Sequence, residues 1–430
     1  MRVRANAIGT NKLFHVKSAL HVKIHPSYER EPMKSQSRMS INILAYYAAF
    51  IFLGLTMAAT GPLLPALTEK YQVILSQISL IFPANSLGYI LSSSFGGRLY
   101  DRFNGNRILL FSLLLSAIMI TLIPAIPIFW LVLFVFFVNG LALGGLDIGC
   151  NTLLVWDLRE NTGPLMNGLH FCFGVGSFLS PLVISHAATA LGQPIRSYWF
   201  LALAALPAIL LLNRRPGPQI PPPVQPQRPS QANTNSILIL ALSFFFFLHV
   251  GAELAFGNWV YSYALATQLG STITAAYLTS AFWAAITIGR LLAIPIAMRV
   301  KPAAMLIGSL IGGVFSILVI LIWPGSQIAI WISAIGLGLS IATLYPSSLT
   351  FAGDSMTLTG RITGYMLVGG SLGGMALPWL IGQLFQPVGP QSAMIIIAVA
   401  IFAALFLFMF LLRYSTRHQA VEVQPHTMIT

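Results

Sequence analysis

Charge is scarce in this chain. Only 8% of its 430 residues are Asp, Glu, Lys or Arg, and only ten are acidic. A soluble domain carries roughly 25% charged residues, so a chain with 56% hydrophobic residues and a mean hydropathy of +0.80 does not fold in water around one apolar core. Cysteine is almost absent. Cys150 and Cys172 both fall inside apolar runs, which excludes a disulfide framework or a Cys-rich metal site and reads them as small packing residues. The acidic residues and the eight histidines are too scattered to supply convergent acid/base groups or metal ligands, so an enzyme embedded in the membrane is not expected. No cofactor is implied. No nucleotide-binding segment lies outside the apolar runs, which argues against ATP as the energy source.

Apolar runs are plentiful. A spanning helix needs about 20 apolar residues, and twelve candidates occur near 42–63, 74–96, 108–126, 128–152, 164–188, 197–212, 236–264, 272–296, 303–323, 327–350, 362–386 and 390–412. The long runs at 236–264 and 362–386 read as single tilted or broken helices rather than as two spans each.

The cations set the topology. Eight of the 23 Lys and Arg residues precede position 41, and the rest fall in or beside alternate loops, Arg159, Arg214, Arg215, Arg290 and Arg299 among them. Only Lys70 and Arg196 land on the opposite side. This positive-inside bias places both termini in the cytoplasm and requires an even number of spans. The net charge of +13 follows from the same bias and suits anionic lipid headgroups rather than nucleic acid. Residues 1–40 are basic and lack the apolar core of a secretory signal. They read as a disordered cytoplasmic tail or as an over-extended start with Met33 or Met39 as the true beginning. An organelle transit peptide is the alternative.

Residues 213–235, NRRPGPQIPPPVQPQRPSQANTN, form an extended Pro-rich linker. It divides the chain into a six-helix bundle at 41–212 and a second at 236–413, with a cytoplasmic tail at 414–430. The halves look duplicated. Gly97-Arg98-Leu99 recurs as Gly289-Arg290-Leu291, the Asn139–Gly144 stretch resembles Ile335–Ser340, and Pro181 matches Pro378 at nearly constant spacing. Parallel repeats place a solute site between them near the bilayer midplane.

Four charges crowd into GGRLYDRFNGNR after the second span. Gly97, Asp101, Arg102, Gly105 and Arg107 resemble the signature loop of the major facilitator superfamily, and the resemblance extends over about residues 40–415. Asn104 adds one residue to the loop pattern. The resemblance implies an all-α fold of twelve transmembrane helices in two pseudo-symmetric bundles. It also implies a gating role for the loop, whose contacts hold the cytoplasmic ends of the halves together. Gly97 would permit close helix approach, and Asp101 would pair with an arginine and a helix N-terminus. A solvated basic loop serving topology alone is the plainer reading.

The stretches NGLALGGLDIGCNTLLVW, MNGLHFCFGVGSFLSPLV, GAELAFGNWVYSYAL and LYPSSLTFAGD further resemble the fucose–proton symporter branch, and more closely its sodium-dependent glucose transporter-like members. Only Asp147 and Glu253 are acids well inside spans, where a carboxylate is functional by default. Asp147 falls on the branch's proton-coupling position and Asn151, one turn on, on an associated polar position. The branch's second acid, in the first span, is missing from GLTMAATGPLLPAL. Coupling therefore runs through Asp147 alone, uses sodium, or is absent.

Glu253, Asn258 and Trp259, with Tyr261 and Tyr263, put an acid, an amide and aromatics on one helix that would break at Gly257, a set suited to a sugar. The tyrosines read equally as an interfacial aromatic belt. His170, Asn85, Tyr89 and Tyr345 are further lining candidates, and His170 reads equally as packing. The glycines before Pro181 and Pro378 read as tight, bendable helices or as small-residue packing.

These features together predict a monomeric, multi-pass plasma-membrane transporter, bacterial in character, that works by alternating access. Its solute is a sugar or similar small polar compound, coupled to a proton or sodium. An efflux antiporter for amphipathic compounds and a transport-incompetent sensor are the alternatives.

Overall fold

The computed structural model describes residues 34–158, 162–213, 215–219, 236–356 and 359–423. The N-terminal tail as far as residue 33, Arg159, Arg214, linker residues 220–235 and residues 424–430 lie outside them. The described chain is helical. The spans are α1 (Lys34–Tyr71), α2 (Ile81–Tyr100), α3 (Gly105–Leu122), α4 (Phe129–Leu158), α5 (Thr162–Leu191), α6 (Pro194–Leu212), α7 (Ser236–Ala266), α8 (Thr272–Ala297), α9 (Pro302–Ile322), α10 (Gln327–Ser355), α11 (Gly360–Leu384) and α12 (Gln391–Val423).

Eleven of these are long and apolar enough to cross a membrane. The other is α2, whose apolar character is diluted by Asn85, Ser86, Ser92, Ser93, Ser94 and Arg98. Its 20 residues still reach about 30 Å, the thickness of a bilayer's hydrocarbon core. This helix packs along α4 and against α11, and Asn85 faces Asn139 of α4 across that contact. The protein is an integral, multi-pass membrane protein.

The seventh and eleventh spans are each a single helix, as expected, and both are continuous, with Pro378 accommodated inside α11. The break expected at Gly257 is corrected, because α7 runs straight through it. The 31 residues of α7 exceed what a perpendicular crossing needs, which favours a tilt. The breaks fall instead in α6, at Ala204–Ala205, and in α10, between Ile341 and Leu344.

Small residues set the helix crossings. A Cβ on Gly140 would stand 1.9 Å from the Asn85 carbonyl oxygen, and one on Gly88 would stand 2.0 Å from that of Phe137, so α2 and α4 touch backbone to backbone. Likewise α5 meets α1 at Gly176, and α11 meets α7 at Gly373. The glycines before both prolines therefore serve close packing.

The pairings repeat. In the first half α1 packs on α5 and α2 on α4; in the second α7 packs on α11 and α8 on α10. Between halves, α2 meets α11, α5 meets α8 and α1 meets α7, a set that exchange of the halves maps onto itself. The helix ends fix the register of the repeat. Tyr100 ends α2 where Ala297 ends α8, and Gly105 begins α3 where Pro302 begins α9. On that alignment Arg290 lies opposite Ser93, so the expected match of Gly289-Arg290 to Gly97-Arg98 is out of register.

The two cations on the minority side have a local reason to be there. Lys70 donates to the carbonyls of Ile123 and Pro124 at 2.6 and 2.7 Å, just past the C-terminus of α3. Arg196 donates to the Leu191 carbonyl at the C-terminus of α5. Each meets the negative end of a helix dipole.

Candidate functional site

The halves close on each other at the membrane face away from the termini. Gln383 of α11 donates to the Ser76 carbonyl at 2.9 Å and to Ser79 Oγ at 3.1 Å, and the Leu75 amide donates to Gln386 Oε1. A Cβ on Gly382 would stand 2.2 Å from that of Ser79, and one on Gly61 2.7 Å from the Asn258 backbone. Trp259 is fully buried beside this seal. Its indole donates to the Pro378 carbonyl and its rings lie 4.9 Å from Phe385 and 6.4 Å from Phe82.

Just inside the seal is a cavity of about 60 Å³, bounded by both halves. Its polar lining is Thr60, Asn85, Ser86, Asn139 and Asn258. Ser116 donates to Asn139 at 2.7 Å, and Asn139 reaches Asn85 at 3.5 Å.

One turn further along α2, the Tyr89 hydroxyl donates to Asp147 Oδ2 on α4. Asn151 donates to Asp147 Oδ1 at 3.0 Å and to its carbonyl at 2.9 Å. The carboxylate thus has a donor at each oxygen while its residue stays partly exposed. Tyr345, on the second piece of α10, lies within electrostatic reach of Asp147, Glu253 and Arg290 together. The two acids that sequence separates widely therefore face one polar region.

Glu253 is not a lone acid. Arg290 Nη2 stands 3.7 Å from its Oε1. This overturns the placement of Arg290 in or beside a loop, because the residue sits inside α8 with seven more helical residues after it. Arg290 also lies within electrostatic reach of His170 on α5, whose ring meets Phe50 edge-on at 5.8 Å. One turn before Glu253, His249 is 1% exposed against Phe245 and Phe246, and neither ring nitrogen has a hydrogen-bond partner among the described residues. Tyr261 and Tyr263 are buried, with the Tyr263 hydroxyl accepting from Gln391, so they are not a lipid-facing belt.

The structure therefore gathers Asp147, Asn151, Tyr89, Tyr345, Glu253 and His170 around the inter-half space, with Asn85 and Asn258 at the cavity. Trp259 packs in the seal. Sequence reasoning missed Arg290, Asn139 and His249. The position of Arg290 inside the apolar run 272–296 was the signal that could have found it.

The signature loop differs in detail from its expectation. Gly97 has open space where a Cβ would go, so it permits no close approach; Gly105 does, lying against Leu153. The added residue Asn104 caps α3, its side chain accepting from the Arg107 amide. Asp101, Arg102 and Arg107 are exposed, and Asp101 makes no ion pair among the described residues. The loop is tied down by Asn106 instead, which accepts from the Tyr46 hydroxyl at 2.9 Å and donates to the Pro216 carbonyl at 3.1 Å. The same Tyr46 hydroxyl reaches Asp157.

Residues 46–378 match the Major Facilitator Superfamily. The chain is 28% identical to sodium-dependent glucose transporter 1A of Mus musculus, covering 79% of this chain and 88% of the relative. It is 26% identical to Major facilitator superfamily domain-containing protein 4A of Homo sapiens, covering 89% and 93%. The crystal structure of the nucleoside transporter NupG superposes with a TM-score of 0.70 over 86% of this chain and 99% of that one, at 13% identity, so the likeness there is one of fold. The twelve paired spans and the family match agree, and the chain belongs to the Major Facilitator Superfamily, a transporter of small solutes.

Proposed function

We propose that this protein is a secondary active transporter that takes up a sugar or similar small polar solute by alternating access, with Asp147 as its proton acceptor. The observation that carries the coupling role is the setting of Asp147, an acid within a span whose two oxygens are met by Tyr89 and Asn151. Both partners donate to the charged carboxylate, and the Tyr89 hydroxyl, which also accepts, can take the proton's hydrogen bond once Asp147 is protonated. The solute class is supported by the amide-rich cavity lining, by Glu253 and Tyr345 facing the inter-half space, and by the sodium-dependent glucose transporters among the relatives.

In this reading the bundles 41–212 and 236–413 rock as units about the α2–α11 and α5–α8 contacts, joined by the 213–235 linker. The conformation described is sealed at the face away from the termini. The charge bias puts the termini on the cytoplasmic side of a plasma membrane, so the sealed face is the outer one. A solute of sugar size needs more room than the small cavity offers, so binding draws on the wider space between Asp147, Tyr345 and Glu253.

The test is uptake of radiolabelled hexoses into proteoliposomes under an imposed pH gradient or an imposed sodium gradient. Accumulation driven by the pH gradient and lost in Asp147→Asn supports the reading. Accumulation driven only by sodium, unchanged in that variant, overturns the proton role. Uptake of amphipathic cations in place of sugars moves the protein to the efflux class.

A further inference from the structure

The Glu253–Arg290 pair is unlike an ion pair built for stability. Charged N–H···O bonds run about 2.7–2.9 Å, and this pair stands at 3.7 Å. Neither side chain makes any hydrogen bond among the described residues. A pair held in a low-dielectric interior offsets its desolvation only with good geometry and with its remaining donors and acceptors satisfied. Here a guanidinium with five N–H groups and a carboxylate with two oxygens have almost nothing to bond, although both lie deep within helices. Both keep some exposure, 29% of the Arg290 side chain and 12% of that of Glu253, so the protein does not close the pair off.

The surroundings show which way they face. Arg290 lies within electrostatic reach of His170 on α5 and Tyr345 on α10. The α5–α8 crossing is an inter-half contact, tight at Gly174, where a Cβ would stand 2.1 Å from Thr287 Oγ1. Arg290 follows Thr287 by one turn, and His170 precedes Gly174 by one turn. The pair thus borders the space between the halves.

We infer that Arg290 is a specificity-determining residue of the solute site, forming with Glu253 a two-ended polar clamp that selects neutral polyhydroxylated solutes over their charged analogues. A hydroxyl group matches the gap chemically, since it donates its proton to the carboxylate while its oxygen accepts from the guanidinium. The pair sums to zero charge. An anionic solute meets Glu253 and a cationic one meets Arg290, each at a like charge in a site of low dielectric. Removing one member leaves the other's charge uncompensated and turns the preference towards solutes of the opposite sign. This rests on the proposed function, because it assigns the recognition chemistry of the same site.

The experiment is counterflow exchange in proteoliposomes at one pH and without gradients, so that loss of coupling does not enter. Glucose, glucuronate and glucosamine are compared at a pH where the last is cationic. The wild type should exchange glucose at least about tenfold better than either charged sugar. Glu253→Gln should raise the glucuronate-to-glucose ratio about tenfold, and Arg290→Gln the glucosamine-to-glucose ratio similarly. The double variant Glu253→Gln/Arg290→Gln, neutral again, should return to preferring glucose.

Single variants that exchange glucose with unchanged ratios overturn the inference while leaving the sugar reading intact. A wild type that exchanges none of the three sugars sinks both. Where a single variant does not yield stable protein, Arg290→Lys and the double variant carry the test. Both must keep the preference for glucose, and loss of that preference in either rejects the clamp.

Discussion

Gly382 on α11 rests directly on Ser79 at the entrance to α2, so close that a Cβ on the glycine would stand 2.2 Å from the serine Cβ. Gln383, the next residue, donates to Ser79 Oγ and to the Ser76 carbonyl. The seal between the halves is therefore backbone-tight at one point and hydrogen-bonded beside it. Gly382→Val should prop this face open. Overpacking costs about 1–3 kcal/mol, enough to shift a two-state population by roughly 5–150-fold. In a background without Cys150 and Cys172, a cysteine at Ser86, which lines the cavity, should label faster with an impermeant thiol reagent applied to that face. Ser79→Gly should reverse the effect. Equal labelling in all three proteins would remove the seal from the transport cycle.

If Asp147 is the proton acceptor proposed above, Asp147→Asn should abolish accumulation of solute above equilibrium and spare exchange, since only the proton-linked return of the carrier would need the ionisable group. Tyr89→Phe removes one of the two side-chain donors to that carboxylate. A hydrogen bond to a charged group is worth about 1.5–3 kcal/mol, so accumulation should fall at least about tenfold while exchange falls less. Accumulation at the wild-type level in Asp147→Asn would take the residue out of coupling.

The α5–α8 crossing offers a packing test independent of the solute. A Cβ on Gly174 would meet Thr287 Oγ1 at 2.1 Å and Cγ2 at 2.8 Å. Gly174→Ala should destabilise the detergent-solubilised protein by about 1–3 kcal/mol, and Thr287→Ala in the same chain should recover part of that. Thermal unfolding followed by tryptophan fluorescence reads both. Full additivity of the two changes would show that the residues do not press on each other.

Asp101 is exposed and without an ion pair among the described residues in this conformation. A latch role for Asp101, as the loop resemblance implies, would be exercised in the opposite conformation, in which the terminal face closes. Asp101→Asn should therefore favour the conformation described here. Cysteines at the terminal face should label faster and those at the Ser79 face more slowly, with little change in melting temperature. Unchanged labelling at both faces would reject the latch.

Much of this architecture was legible from composition and patterning. A run of apolar residues long enough to span a bilayer has few alternatives to a helix, because every backbone polar group must be satisfied internally. Hence the spans were readable, with even the polar α2 visible as a run. Proline and glycine marked the linker, and two acids inside apolar runs stood out as Asp147 and Glu253.

Register was a different matter. Gly97-Arg98 and Gly289-Arg290 match as letters, yet the helices end at Tyr100 and Ala297, so one arginine lies at a helix end and the other well within α8. Where a helix stops depends on the turn and caps that follow, such as Asn104 on α3. Asn104 looked like an irregular insertion in the linear pattern.

Composition and linear pattern suffice to make the chain a helical, two-part membrane protein with a charge bias, because hydropathy and charge act on each segment through the bilayer alone. Tertiary packing alone sets Arg290 beside Glu253, brings Tyr345 within electrostatic reach of both Asp147 and Glu253, and closes Gly382 on Ser79. Those relationships arise from the rotation and depth of one helix against another. Both are set by close packing between residues far apart in the chain, and no local pattern encodes them.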